Sequence, residues 1–212
     1  MNFNTFITSI KGIENAELPA EASQFKMSPP YREKLVAKQR ELIKTAKQSA
    51  VLALFYPDKE NETRLILILR KTYKGVHSAQ VGFPGGKLEA NETLKEAALR
   101  EANEEVGVDI NTVTVLKEMT QVYIPPSNFF VQPYLGISNI TPEFIKQEAE
   151  VEDLLEVKLS DFFNSDNEVT KTVTVSKGLE IEVPAYNLNN HLVWGATAMM
   201  LSEIKDLLKS TC

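Results

Sequence analysis

At 212 residues the chain is long enough for one extended core, and 43% hydrophobic with 25% charged residues is the balance of a globular protein, not a disordered or fibrous one. A net charge of −6 argues against a broad nucleic-acid surface, and no apolar run approaches the roughly 18 residues that cross a bilayer. The single cysteine, Cys212, cannot close an internal disulfide, and residues 1–30 carry neither a secretory nor a mitochondrial leader pattern, so a cytoplasmic location is expected.

Charge is uneven along the chain. Residues 24–48 hold seven Lys or Arg against two Glu. Lys34 to Lys44 reads as an amphipathic helix with a basic face, packed through Leu35, Leu42 and Ile43, within a helical extension over residues 1–48. Residues 50–55 and 64–69 are short apolar runs suited to buried strands, separated by a polar turn at 57–62. Phe83-Pro84-Gly85-Gly86 then makes a turn, because proline fixes φ and glycine permits backbone conformations closed to other residues. A helix follows, then strands around 113–123 and 129–136. A hairpin over 169–175 and 179–184 turns at Ser176-Lys177-Gly178, and an amphipathic helix over 199–208 closes the chain. The pattern predicts a mixed α/β protein in one domain, residues 1–212, with no repeat. It sets no oligomeric state and is compatible with a homodimer.

The helix after the turn carries Glu101, Glu104 and Glu105. At about 100° per residue these carboxylates fall on one arc, which Leu94, Ala97 and Ala98 share one to two turns earlier. Acids that overlap an apolar face look toward the protein body, where lost hydration and mutual repulsion raise their pKa values unless a cation neutralises them. The segment has no Cys or His, so hard oxygen ligands select magnesium or manganese over zinc. A main-chain carbonyl of the glycine turn, that of Gly86, is a further candidate ligand. A solvated Glu-rich helix with an i,i+4 pair between Glu96 and Arg100 is the competing reading of this spacing.

The segment resembles the Nudix box: Gly86, Glu92, Arg100, Glu101, the aliphatic Ala102, Glu104, Glu105, Gly107 and the aliphatic Val108 meet its positions in register. Upstream, Arg70 lies thirteen residues before Phe83 of the Phe-Pro-Gly-Gly turn, which resembles the additional signature of the coenzyme A pyrophosphatase subgroup. Two positions depart from that signature: its second Arg falls on Gly75, with Lys74 one place earlier, and its Gly falls on Ala79. Pro29-Pro30-Tyr31-Arg32, Pro125-Pro126-Ser127-Asn128, Glu150-Val151 and Trp194-Gly195-Ala196-Thr197-Ala198 are similar to further landmarks of the subgroup.

The resemblance implies an α/β/α sandwich with a mixed sheet, and metal-assisted hydrolysis of a nucleoside diphosphate linked to a second group. Its small-molecule substrate would be of the coenzyme A class, cleaved to 3′,5′-adenosine bisphosphate and 4′-phosphopantetheine with Mg2+ or Mn2+ as cofactor. Glu101 and Glu105 would be the principal metal ligands, completed by Glu104 and the Gly86 carbonyl, with Glu92, Arg100 and Gly107 shaping the motif. Glu104 and Glu150 are the candidates for the base that accepts the water proton. Arg70, Lys74, His77 and Arg32 are the candidates for substrate binding, Arg32 for the additional phosphate on the adenosine ribose. Trp194 and Tyr186 are candidates to stack on adenine, against a core role for each, and His191 reads as structural. Two other readings stay open: a Nudix enzyme for ADP-ribose, NADH or nucleoside triphosphates, and a non-catalytic nucleotide-sensing module.

Overall fold

The computed structural model describes residues 1–39, 41–72, 80–175 and 178–211. Its axis is strand β1 (Lys47–Pro57), buried on both faces from Ser49 onward. An almost continuous run of Ala, Val, Leu and Phe produces this, because a strand covered on both sides needs apolar residues at odd and even positions alike. Ala50, Leu52, Leu54 and Tyr56 face one core and Val51, Ala53 and Phe55 the other.

Around β1 the sheet is mixed. Strand β2 (Thr63–Arg70) and β4 (Gly85–Lys87) pair with it antiparallel, whereas β7 (Phe129–Ser138) runs parallel from Lys47↔Phe129 to Phe55↔Ile137. The sheet is completed by β3 (Val81–Gly82) and β8 (Val151–Lys158) on β2, and by β5 (Val113–Glu118) and β6 (Val122–Ile124) on β7. A separate antiparallel sheet contains β9 (Glu168–Val175), β10 (Leu179–Leu188) and β11 (His191–Trp194).

Helices cover both faces of the larger sheet. The box helix α4 (Leu94–Val106) packs through Ala97, Ala98, Ala102 and Val106 on the Leu52/Leu54 side. These small residues let the helix backbone lie close to β1, which accounts for Ala at the aliphatic position of the motif. On the other face lie Phe3 and Phe6 of helix α1 (Phe3–Ser9) and the apolar stripe of helix α6 (Gly195–Thr211). The result is the expected α/β/α arrangement with a mixed sheet.

The predicted 34–44 helix is corrected. Helix α3 spans Arg32–Lys38 and ends at Gln39, and a short 3-10 turn at Leu42–Thr45 follows. Leu42, expected to pack, is 53% exposed. A helix this short persists only where tertiary contacts hold it, and the contact here is polar: Tyr123 Oη donates to Gln39 Oε1 at 3.0 Å. The closing helix also begins earlier than predicted, at Gly195; the N-terminal segment carries α1 and a short helix α2 (Ala20–Gln24), and β8, followed by the short helix α5 (Leu159–Phe163), lies where no element is predicted. No helix among the described residues is long and apolar enough to cross a membrane.

Candidate active site

Helix α4 starts and stops on local signals. Thr93 Oγ1 accepts from the Glu96 amide at 3.2 Å while Glu96 returns a bond to the Thr93 amide at 2.7 Å, a reciprocal N-terminal cap. At the other end Gly107 takes φ +71, a left-handed conformation that favours glycine. Between these ends the three glutamates are held differently.

Glu105 is the deepest, at 2% exposure. Its Oε2 accepts from the Gly85 amide at 2.8 Å and its Oε1 from Arg70 Nη1 at 3.2 Å. Burial pushes its pKa up to about 7, with Arg70 and the Gly85 amide pulling the other way. Glu101 has a side chain 17% exposed and pairs with Arg100 at 3.2 Å, and burial likewise raises its pKa against the pull of Arg100. Glu104 lies at the rim, 55% exposed, with its carboxylate on Arg100 Nη1 at 3.0 Å.

The glycine turn fits this helix closely. A Cβ at Gly86 would fall inside the Glu101 carboxylate, and one at Gly85, whose φ is +153, would strike the Ala50 carbonyl and Val51. Gly86 itself pairs with Ala50 in the sheet. The carbonyl that shares a partner with Glu105 is that of Gly85, which accepts from Arg70 Nη2 at 2.9 Å. The Phe-Pro-Gly-Gly turn in the sequence points to Gly86 as a ligand; the structure also brings the Gly85 carbonyl beside Glu105 through their shared partner Arg70.

Arg100 corrects a second expectation. It pairs with Glu92, through Nε at 3.0 Å and Nη2 at 2.9 Å, and donates to the Lys87 carbonyl at 3.1 Å. The Glu96 carboxylate that the i,i+4 rule assigns to it is committed to the cap. The Arg100 bond, followed by that from the Glu89 amide, holds the Glu92 carboxyl below its ordinary range. Arg100 therefore fastens the loop after β4 to the glutamate helix.

Glu150 directly precedes β8, at an edge of the sheet, and its carbonyl accepts from the Lys71 amide at 2.9 Å. Its charge contributes to raising the pKa of both Glu101 and Glu105, so it stands within electrostatic reach of both. Lys74 and His77, and with them Gly75 and Ala79, lie outside the described residues.

Beside the carboxylates opens a cavity of about 860 Å3. Arg70, Gly85 and Gly86 line its box edge, Tyr31 and Arg32 come from the N-terminal segment, Trp194 from the end of β11 and Thr197 from the start of α6. The Arg32 amide donates to the Pro29 carbonyl at 3.0 Å, but its guanidinium makes no hydrogen bond or ion pair among the described residues; partial burial lowers its pKa and Glu21 opposes that shift. Tyr186 is absent from this wall: at 1% exposure it packs on Phe162 in the core, so it cannot stack on a base. Leu179, Ile181, Met199 and Met200 add an apolar side that no motif marked.

The candidate ligands on the glutamate helix and turn are all oxygens, which suits a hard divalent cation. Among the described residues no three acidic or histidine side chains are already gathered at one point. Arginines hold the glutamates instead, a sign of how strongly the site calls for positive charge.

The Nudix domain pattern matches residues 46–173, and the chain belongs to the Nudix family. It is 28% identical over 144 residues to the uncharacterized Nudix hydrolase NudL of Yersinia pestis (strain Pestoides F), covering 68% of this chain and 71% of that protein. The fold is similar to that of RenU, a Nudix hydrolase from M. smegmatis, with TM-score 0.54 and 16% identity over 78% of this chain and 87% of that one. A MutT/Nudix family protein from Enterococcus faecalis aligns with TM-score 0.50 and 15% identity over 86% of this chain and 75% of that one. The protein is thus a hydrolase of diphosphate, that is acid-anhydride, bonds in nucleotide-like substrates. Nudix hydrolases as a family use divalent cations such as Mg2+.

Proposed function

We propose that this diphosphatase acts on coenzyme A or its derivatives, releasing 3′,5′-adenosine bisphosphate and 4′-phosphopantetheine. The observation that carries the reading is that one cavity is lined by Arg70 and the glycine turn, by Arg32, and by the apolar Leu179, Ile181, Met199 and Met200. A coenzyme A molecule carries matching chemistry: a diphosphate, a nucleotide bearing a further phosphate, and a long arm with few charges. The Arg70-to-Phe83 signature supports the same assignment.

Glu101 and Glu105 would hold Mg2+ or Mn2+, with Glu104 at the exposed edge and a glycine carbonyl completing the set. When bound, the cation neutralises diphosphate oxygens and makes water a stronger nucleophile. The chain's own residues do the rest. Arg70 draws the diphosphate to the glutamate helix, Arg32 receives the ribose phosphate, and Arg100 with Glu92 keeps the loop and helix in register. Glu150, within electrostatic reach of Glu101 and Glu105, or Glu104 accepts the proton of the attacking water.

We read residues 1–212 as one catalytic unit, since Arg32 and the Trp194–Met200 segment lie outside the 46–173 match yet line the same cavity. The test is a substrate panel of coenzyme A, its acylated and oxidised forms, ADP-ribose, NADH and nucleoside triphosphates, with Mg2+ and products identified by mass spectrometry. Release of 4′-phosphopantetheine at the highest kcat/KM is the expected result. Faster cleavage of ADP-ribose would move the assignment to another Nudix substrate.

A further inference from the structure

We propose that Arg70 is the resident cation of the glutamate site: it holds the place at Glu105 that a divalent ion takes, and turns into the cavity to hold the diphosphate when the ion enters. Three observations and one electrostatic argument converge on this. Its guanidinium bridges two oxygens of different elements, Oε1 of Glu105 at 3.2 Å and the Gly85 carbonyl at 2.9 Å. Glu105 is buried, and a buried carboxylate without a counter-charge is strongly destabilising, so some cation must stay there in every state in which it is ionised. A metal ion on those same oxygens would stand too close to the guanidinium for both to remain. Finally, Arg70 has somewhere to go: its side chain is 25% exposed and already lines the cavity, where a diphosphate would offer two charged groups in bidentate reach.

The route is short. Arg70 sits at the end of β2, where the pairing with β8 shifts register between Leu69 and Arg70. Its Nε passes 3.8 Å from where a Cβ would stand on Gly82, an ordinary van der Waals distance, so the arm runs alongside β3. Exchange of one cation for another at Glu105 then couples metal entry to substrate capture: the ion that takes Glu105 releases the arginine for the anion. The inference rests on Glu101 and Glu105 as metal ligands and is independent of whether the substrate is coenzyme A.

The decisive experiment is a crystal structure of the wild-type protein soaked with Mn2+ and no nucleotide. The expected result is manganese on Glu105 with Arg70 beyond hydrogen-bonding distance of both Glu105 and the Gly85 carbonyl. Manganese on Glu105 with both arginine contacts intact overturns the proposal. In solution, Arg70→Gln should bind Mn2+ at least about fivefold more tightly than wild type by titration calorimetry, the low end of ordinary coupling between linked ligands. Arg70→Lys, which keeps the charge if the Gln variant fails to fold, should fall between the two. Equal or weaker Mn2+ binding in a folded Arg70 variant counts against the handover. Undiminished binding in Glu105→Gln would instead remove the metal assignment on which it stands.

Discussion

Gly85 and Glu105, 20 positions apart in the chain, are joined by a 2.8 Å bond from the amide of the turn to the carboxylate of the helix. Through this bond the glycine turn fixes the rotamer of the most buried acid in the site, and any shift of either element is transmitted to the other.

Glu101→Gln and Glu105→Gln preserve volume and remove a charge. Each should lower kcat by at least about 100-fold, beyond the effect usual for outer-sphere partners of a metal ligand, while circular dichroism shows an intact fold. Wild-type turnover in either variant at limiting Mg2+ would exclude it from the metal site.

Stability should depend on pH through Glu105. Its folded pKa of about 7 lies above the ordinary 4.5, so its protonated form favours the folded state. That contribution is fully present below about 4.5 and is lost as the pH rises through about 7, a difference of roughly 3 kcal/mol. With metal removed by chelator, the wild-type melting temperature should therefore fall more between about pH 5 and 8 than that of Glu105→Gln. Parallel curves for the two proteins would contradict the argument. Since the proton and a cation compete for this carboxylate, Mn2+ affinity should rise across the same window.

The two glycines of the turn should fail in different ways. Gly85→Ala meets backbone at Ala50 and Val51, which cannot retreat, and takes a φ unfavourable to alanine. A loss of about 1–3 kcal/mol in urea unfolding is expected. At Gly86 the three atoms nearest an added Cβ all belong to the carboxylate end of Glu101, which can swing away. Gly86→Ala should cost far more in turnover than in stability.

Arg32→Met should raise KM for coenzyme A by about tenfold to a hundredfold, the value of one or two charge-assisted hydrogen bonds. It should leave KM for dephospho-coenzyme A, which lacks the ribose phosphate, nearly unchanged. An equal loss on both substrates would place Arg32 elsewhere in the substrate.

Replacing Arg100 by Met should loosen the Lys87–Glu92 loop and free Glu101 and Glu104 together. A weakening of Mn2+ binding of about 10-fold or more is expected, with a smaller change in melting temperature. Loss of stability with unchanged Mn2+ affinity would make the arginine a staple of the fold alone.

Much of this was legible in the chain because it is local. The spacing of Glu101, Glu104 and Glu105 puts them on one arc whatever the helix packs against, and Thr93, Glu96 and Gly107 write the ends of that helix into adjacent residues. The two-faced apolar run of β1 likewise announces a buried central strand. The antiparallel pairing of β9 with β10 followed from the apolar positions on either side of Ser176-Lys177-Gly178, of which Ser176 and Lys177 lie outside the described residues.

What the sequence determined by itself was therefore the glutamate helix, its glycine turn and the oxygen-only chemistry they share. Tertiary structure alone decided the partners: that Arg70 bridges to Glu105 and Gly85, that Arg100 chooses Glu92 over Glu96, that Tyr186 goes to the core, and that Arg32 meets Trp194 around one cavity. The physical reason is that helix and turn geometry is fixed by neighbours within a few positions. The pairing of buried charges is fixed instead by which distant strands and helices bring opposite charges together where water is excluded.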